Sequence, residues 1–135
     1  MITARLDFGL TVRNNALNNI EVSIGTLPRL DILSAPMPAL ITDPVTSVLL
    51  LRMALPSDWL SAASNGLKTK LGTWSGTGLA TGDAFWWRIL NSGLNITHAR
   101  GTVGLPGSKH PLQLSSLAIQ TAVARSVLSF SLAWP

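Results

Sequence analysis

The side chains that could carry acid–base or metal chemistry are few in this chain, and they lie far apart. The two histidines, His98 and His110, are separated by a segment containing glycine and proline, and they form neither an HxH nor an HExxH pattern. A metal site generally needs three or four ligands of suitable type, whereas this chain has no cysteine and six scattered acidic residues. The sequence therefore predicts no metal site, and it places His98 on the outer face of a strand.

Residues for hydrolysis or phosphate binding form no recognisable pattern either. No GxSxG elbow occurs, and Asp58 and Asp83 fall in predicted loops without the partner carboxylate that glycoside hydrolysis requires. The glycine-containing segment 76–82 misses the GxGxxG pattern by one residue, and a strand follows it where a phosphate-binding loop would open a helix. We predict a flexible connection there, and a protein that is not an enzyme and binds no cofactor.

The elements that position these residues are organised around an aromatic stretch, residues 84–90, which reads AFWWRIL. A polar turn and a second β-favouring run at residues 96–103 follow it, which is the pattern of a β-hairpin. Side chains alternate along a strand, so one set should face the core while Trp86 and Arg88 face the other way. A tryptophan beside an arginine suits a packed sheet edge or a contact with another protein.

Short β-favouring segments occupy most of the chain, and residues 10–20 show the best helical periodicity. We predict an all-β fold, an antiparallel β-sandwich or jelly roll of about eight strands with one short N-terminal helix. Residues 1–9 should form an arm and residues 10–135 a single domain. The other predicted strands are residues 29–34, 45–55, 67–74, 112–115, 118–120 and 126–134. The predicted core contains Leu49, Leu51, Met53, Phe85, Trp87, Ile89, Leu128, Phe130, Leu132 and Trp134.

Three of the five tryptophans do not fall on a predicted core face. For Trp59, Trp74 and Trp86 two interpretations stay open: partial burial under loops, or exposure as anchors of a protein contact, because tryptophan is common at the centre of interfaces. A sugar stacked on Trp59 or Trp74 would make the chain a carbohydrate-binding jelly roll. No acid or amide groups can be assigned to the sugar hydroxyls.

The composition indicates a protein partner. Hydrophobic residues make up 47% of the chain and charged residues 12%, about half the usual charged fraction, so a partner should cover part of the surface. No apolar run approaches the roughly 18 residues of a membrane-spanning helix, and we predict no membrane partner. The absence of cysteine and of a secretory signal agrees with synthesis in a reducing bacterial cytoplasm. The arginines are scattered, and the basic pair Lys68 and Lys70 adjoins no aromatic platform, so we predict no nucleic-acid partner.

Four stretches in the second half of the chain resemble a family of small tailed-phage virion proteins. They are residues 85–93 (FWWRILNSG), 99–104 (ARGTVG), 112–116 (LQLSS) and 127–135 (VLSFSLAWP). The family shows a pattern of the type WFRIxDSxG…xGxVG…DLxLxxxxI…VxIxSFxLxxP, and RNNAL at residues 13–17 and SNG at residues 64–66 also resemble it. The chain departs from the pattern at Asn91 and Pro111, where the family has an acid, and these departures leave the partner surface open.

This resemblance implies a capsid cement or decoration protein with a jelly-roll fold. Such a protein would lie on the outer surface of the virion head and bridge neighbouring major capsid proteins; a tail or fibre component is the alternative. A subunit that bridges equivalent neighbours is often a two-fold dimer, so we also expect a homodimer. We expect the apolar strand faces and the N-terminal arm, residues 1–8, to supply the contacts. The arm is a candidate because its apolar side chains alternate with polar ones and could add a strand to a partner's sheet. The predicted contact residues are Ile2, Arg5, Leu6, Phe8, Trp59, Trp74, Trp86 and Arg88.

Overall fold

The computed structural model describes residues 4–133, in which one helix precedes ten strands. Ile2 and Trp134 therefore lie outside the described residues. The helix α1 spans Leu10–Ile24. The strands are β1 (Arg29–Leu33), β2 (Leu49–Ala54), β3 (Leu67–Thr69), β4 (Ser75–Thr77), β5 (Gly82–Asp83), β6 (Trp86–Leu90), β7 (Thr97–Gly104), β8 (Leu112–Leu114), β9 (Ala118–Ile119) and β10 (Ala124–Ala133).

Eight of these strands form one curled sheet, and β5 pairs separately with β9. The order in the large sheet is β2-β1-β6-β7-β8-β10-β3, and β4 also pairs with β10. All pairs are antiparallel except β7 with β8. The sheet curls until the end of β4 reaches β2, where the N–H of Leu79 donates to the carbonyl oxygen of Leu50 at 2.8 Å. The predicted all-β fold with one N-terminal helix is confirmed, whereas the jelly-roll arrangement of the strands is not.

Helix α1 begins at the predicted residue and continues one turn beyond the predicted end at residue 20. The extra turn forms because Ile24 reaches the core, where it is buried together with Leu17. The helix ends at Gly25, whose φ of 93° is a conformation that L-residues rarely adopt. Val12, at the other end of the helix, is exposed.

The core inside the curled sheet is built around four large rings. Trp74 lies 6.1 Å from Trp59 and 5.0 Å from Phe130, measured between ring centroids, and Trp87 meets Phe130 edge-on at 5.1 Å. Aromatic pairs of this kind contribute about 0.5–1.5 kcal/mol each beyond the area that they bury. Of the predicted core residues, Leu51, Met53, Trp87, Ile89 and Phe130 are buried, and Leu49 and Leu132 are half-buried.

Two predicted core residues are instead on the surface: Phe85 is 45% exposed and Leu128 is 51% exposed. Phe85 immediately precedes the first residue of β6. On β10 the pairing with β8 shifts register between Val127 and Ser129. This bulge breaks the alternation, so the buried positions are Val127 and Phe130, three residues apart. The prediction for Leu128 is wrong because it assumed an unbroken period of two, and the prediction for Phe85 is wrong because it extended the buried face past the start of β6.

Three predicted segments are divided differently in the structure. The predicted strand 67–74 is a strand only over Leu67–Thr69, because the chain leaves the sheet after its short pairing with β10. The predicted strand 45–55 is a strand only from Leu49 onward, because residues 45–48 belong to the preceding loop. The segment 76–82, predicted as a flexible connection, lies between two elements and includes parts of β4 and β5. Its glycines allow close backbone packing: a Cβ on Gly78 would lie 2.0 Å from the carbonyl oxygen of Gln120.

Candidate interaction site: an arginine-lined groove and an exposed arm

Three of the predicted contact residues, Trp59, Trp74 and Trp86, are buried. Trp59 and Trp74 donate their indole N–H groups to backbone carbonyl oxygens at 3.1 and 3.0 Å. Trp86 donates to the carbonyl oxygen of Ser34 at 3.0 Å and to Oγ of Ser47 at 3.1 Å. None of the three offers a ring face to a partner, so their predicted contact role is wrong. The carbohydrate-binding alternative needs an exposed ring of Trp59 or Trp74 for a sugar to stack on, and both rings are buried.

The N-terminal arm, described from residue 4, lies on the surface without regular secondary structure. Leu6 is 78% exposed and Phe8 is 45% exposed. Between them in sequence, Arg5 and Asp7 form an exposed ion pair, with Nε 2.7 Å from Oδ2. Charged and apolar side chains thus alternate along the arm. Large apolar side chains held on the surface next to charges are a common feature of contact segments.

The outer face of the sheet carries a row of charged side chains on four neighbouring strands. Strand register places Arg52 on β2 beside Asp31 on β1, which lies beside Arg88 on β6 and then Arg100 on β7. Arg52 donates Nε and Nη2 to the two carboxylate oxygens of Asp31, at 2.6 and 2.9 Å. Arg88 donates Nε to the same carboxylate at 2.9 Å. The fold therefore gathers three arginines that are widely separated in the sequence.

The Asp31 carboxylate is completely buried, and three charge-assisted hydrogen bonds offset the cost of removing it from water. The hydrogen bond with Asp31 raises the pKa of Arg52, an effect that partial burial opposes and the charge of Asp31 reinforces. One carboxylate bound by two guanidinium groups leaves an excess positive charge. The row therefore favours an anionic group placed against its exposed edge.

A loop of residues 34–48, named here the cover loop, crosses the outer face of the sheet beside this row. Arg100 donates from its guanidinium to the carbonyl oxygens of Pro38 and Ala39, which fixes the loop to β7. Within the loop, Oδ2 of Asp43 accepts a hydrogen bond from the N–H of Leu40 at 2.9 Å. The cover loop explains why the outward-facing Trp86 is buried.

An open groove of about 460 Å³ lies between the cover loop and the β6–β7 hairpin, and we call it the arginine-lined groove. Arg88 and Asp43 both line it, and Ile41, Val45 and Ile96 supply exposed apolar walls. Only Nε of Arg88 makes a hydrogen bond within residues 4–133, so its two Nη groups have no partner there. A positive and a negative side chain beside apolar walls suit a short polypeptide segment.

A polar seam between α1 and residues 60–68 fixes the base of the arm. Oδ1 of Asn14 accepts the N–H of Gly66 at 2.9 Å. Oδ1 of Asn18 accepts the N–H of Ala63 at 2.9 Å and Nζ of Lys68 at 2.8 Å. Lys68 is buried and also lies 3.1 Å from Oε1 of Glu21. The helix that carries the arm is therefore rigidly docked.

The histidines lie apart from the groove. His98 lies on β7, and Nδ1 of His110 lies 2.6 Å from Oγ1 of Thr102. Among the described residues, no three His, Cys, Asp or Glu side chains form a group that could hold a metal ion. No helix within residues 4–133 is long and apolar enough to cross a bilayer.

The sequence pointed to Arg88 but not to Asp31, Arg100 or the cover loop. One signal for Asp31 is its position between Leu30 and Ile32 in a strand, because an acid in an apolar run needs a partner when it is buried. The identity of that partner depends on pairing with β2 and β6, which are distant in the sequence.

Comparisons of the chain with models of protein families, with curated proteins and with solved structures give no match. The structure defines an all-β protein with a curled mixed sheet, an exposed N-terminal arm and an arginine-lined groove.

Proposed function

We propose that this chain is a structural virion protein that decorates the outer surface of a tailed-phage head and bridges neighbouring major capsid proteins. The observation that supports it best is the exposed apolar arm. The side chains of Leu6 and Phe8 lie on the surface and are followed by exposed Leu10 and Val12 at the start of α1. The sequence resemblance to small phage virion proteins supplies the capsid as the partner.

Attachment of this kind stabilises a shell by mass action. A protein that binds only the assembled lattice lowers the free energy of that state by an amount set by its concentration and affinity. Many copies on a symmetric lattice multiply a modest contact at each site. A small, rigid β body with an apolar arm meets both needs, because the polar seam holds the arm's attachment point in one place.

The test is binding of the purified chain to purified phage heads that lack it. Replacing Leu6→Ser together with Phe8→Ser should lower the affinity at least tenfold, because apolar area buried against the capsid is lost. Val22→Ser, which changes an exposed apolar residue on α1 outside the arm, is the matched control and should bind as the original chain does.

Occupancy is measured by co-sedimentation and by density maps of the particles. Removal of residues 1–8 that leaves occupancy unchanged would eliminate the arm as the contact. Binding to purified tails in place of heads would assign the chain to the tail.

A further inference from the structure

The arginine-lined groove presents one cation, Arg88, and one anion, Asp43. The Nη groups of Arg88 have no hydrogen-bond partner within residues 4–133, although Nε is fixed by Asp31. Asp43 lines the same groove, with Oδ2 engaged by the backbone of Leu40. A segment that complements both charges of the groove needs an acidic and a basic side chain close together, with apolar side chains next to them.

The arm of this chain has that chemistry. Arg5 and Asp7 are two residues apart, which places them on one side of an extended segment about 7 Å apart along the backbone. Their side chains are 79% and 68% exposed. An ion pair exposed to this extent is weak, so its members exchange readily for new partners. Leu6 and Phe8 are 78% and 45% exposed, so each presents apolar surface that the groove walls can cover.

We propose that the arm of one copy lies in the arginine-lined groove of a second copy, with Asp7 on the Nη groups of Arg88 and Arg5 on Asp43. Leu6 and Phe8 then pack against Ile41, Val45 and Ile96. Reciprocal exchange gives a two-fold dimer in which each contact occurs twice. This inference rests on the proposed function, because it names a second copy of the chain as one partner of the arm that contacts the capsid. Copies linked in this way would join the capsid proteins on which they lie.

Measured along the sheet, the arm of one copy starts far from its own groove. The start of α1 is held beside β3, where Asn14 binds the N–H of Gly66. In the sheet order β3 is four strands away from β6, or about 19 Å along the sheet. The three residues from Leu10 back to Asp7 span about 10 Å at full extension.

Cysteine cross-linking tests the contact directly, because the chain has no cysteine of its own. A tagged chain with Leu6→Cys is mixed with an untagged chain carrying Ile96→Cys, and the mixture is oxidised mildly. We expect a tagged–untagged disulfide dimer, and at least tenfold less of it when the second chain carries Leu79→Cys. Leu79 is as exposed as Ile96 but does not line the groove. Equal yields at the two positions would overturn the proposal.

A chain that carries both Leu6→Cys and Ile96→Cys distinguishes arm exchange between copies from folding of the arm onto the groove of its own copy. An interchain product supports exchange between copies, whereas a monomer with an internal disulfide overturns it. Sedimentation equilibrium of the unmodified chain gives the dimer dissociation constant. Arg5→Asp with Asp7→Arg keeps the net charge and should raise that constant about tenfold. Asp58→Lys with Lys109→Asp, a swap on the exposed surface outside the arm, should leave it unchanged.

These assays contain no phage heads. A chain that stays monomeric and shows no groove cross-link but binds heads would overturn arm exchange and leave the proposed function standing. A cross-linked dimer that does not bind heads would support arm exchange and overturn the proposed function.

Discussion

The completely buried carboxylate of Asp31 accepts a forked pair of hydrogen bonds from Arg52, whose Nε and Nη2 lie 2.6 and 2.9 Å from its two oxygens. Asp31→Asn keeps the shape but removes the charge, so Arg52 and Arg88 face each other without a counter-ion. We expect the free energy of unfolding to fall by about 2–3 kcal/mol, less than for a fully buried pair because both arginines keep some contact with water.

Urea unfolding followed by tryptophan fluorescence measures this loss. Asp58→Asn is the matched control, because Asp58 is exposed and should change stability by no more than about 0.5 kcal/mol. Equal stability of the two variants would contradict a structural role for the Asp31 cluster.

Gly101 on β7 lies directly over the indole of Trp87 on the paired strand β6. A Cβ at this position would lie 2.8 Å from Cζ2 of Trp87 and 2.9 Å from its Nε1. Gly101→Ala should therefore lower the free energy of unfolding by about 1–3 kcal/mol through overpacking. Gly93→Ala, in the polar turn of the hairpin, is the control: its added Cβ would meet nothing closer than 3.4 Å, and its φ lies outside the left-handed region. Thermal unfolding of both variants should show a lower Tm for Gly101→Ala alone.

Local patterns predicted much of this fold. Alternation and a polar turn predicted the β6–β7 hairpin, which the structure confirms with Arg88 opposite Arg100. The helix start at residue 10 was also correct. Leu128 shows where such patterns fail, because the β10 bulge depends on pairing with β8 and has no marker within the strand itself. Periodicity therefore located the strands but could not reveal an irregularity produced by a neighbour.

The site was harder to predict than the fold. Trp86 was assigned to an outward face, which was right, but its burial depends on the cover loop folding back over it. Asparagine is a weak helix former, yet the side chains of Asn14 and Asn18 are needed in α1 because they bind the backbone of residues 63–66. Their spacing of four was a usable signal, because residues i and i+4 share one helix face.

Asn18 is the central acceptor of the polar seam, since its Oδ1 serves the N–H of Ala63 and Nζ of Lys68. Asn18→Ala should cost about 2–3 kcal/mol, because it leaves a backbone N–H and part of a buried ammonium group unsatisfied. The neighbouring Asn19 is exposed, and Asn19→Ala should be neutral or slightly stabilising, since alanine favours helix. Chemical denaturation of the two variants distinguishes the contribution of the polar seam from that of helix propensity. A similar loss of stability in both variants would contradict the role of Asn18 in the seam.

Trp86 holds the cover loop through its indole N–H, which donates to Ser34 and Ser47 on the two sides of that loop. Trp86→Phe keeps most of the apolar packing but removes both hydrogen bonds, at a cost of about 1–2 kcal/mol. Hydrogen exchange should then become faster in residues 36–46 while the β6–β7 pairing keeps its protection, because the loop opens locally. The cover loop supplies Ile41, Asp43 and Val45 to the groove, so dimerisation through the arm should weaken in parallel. A loop that exchanges faster without any change in dimer affinity would place the arm elsewhere.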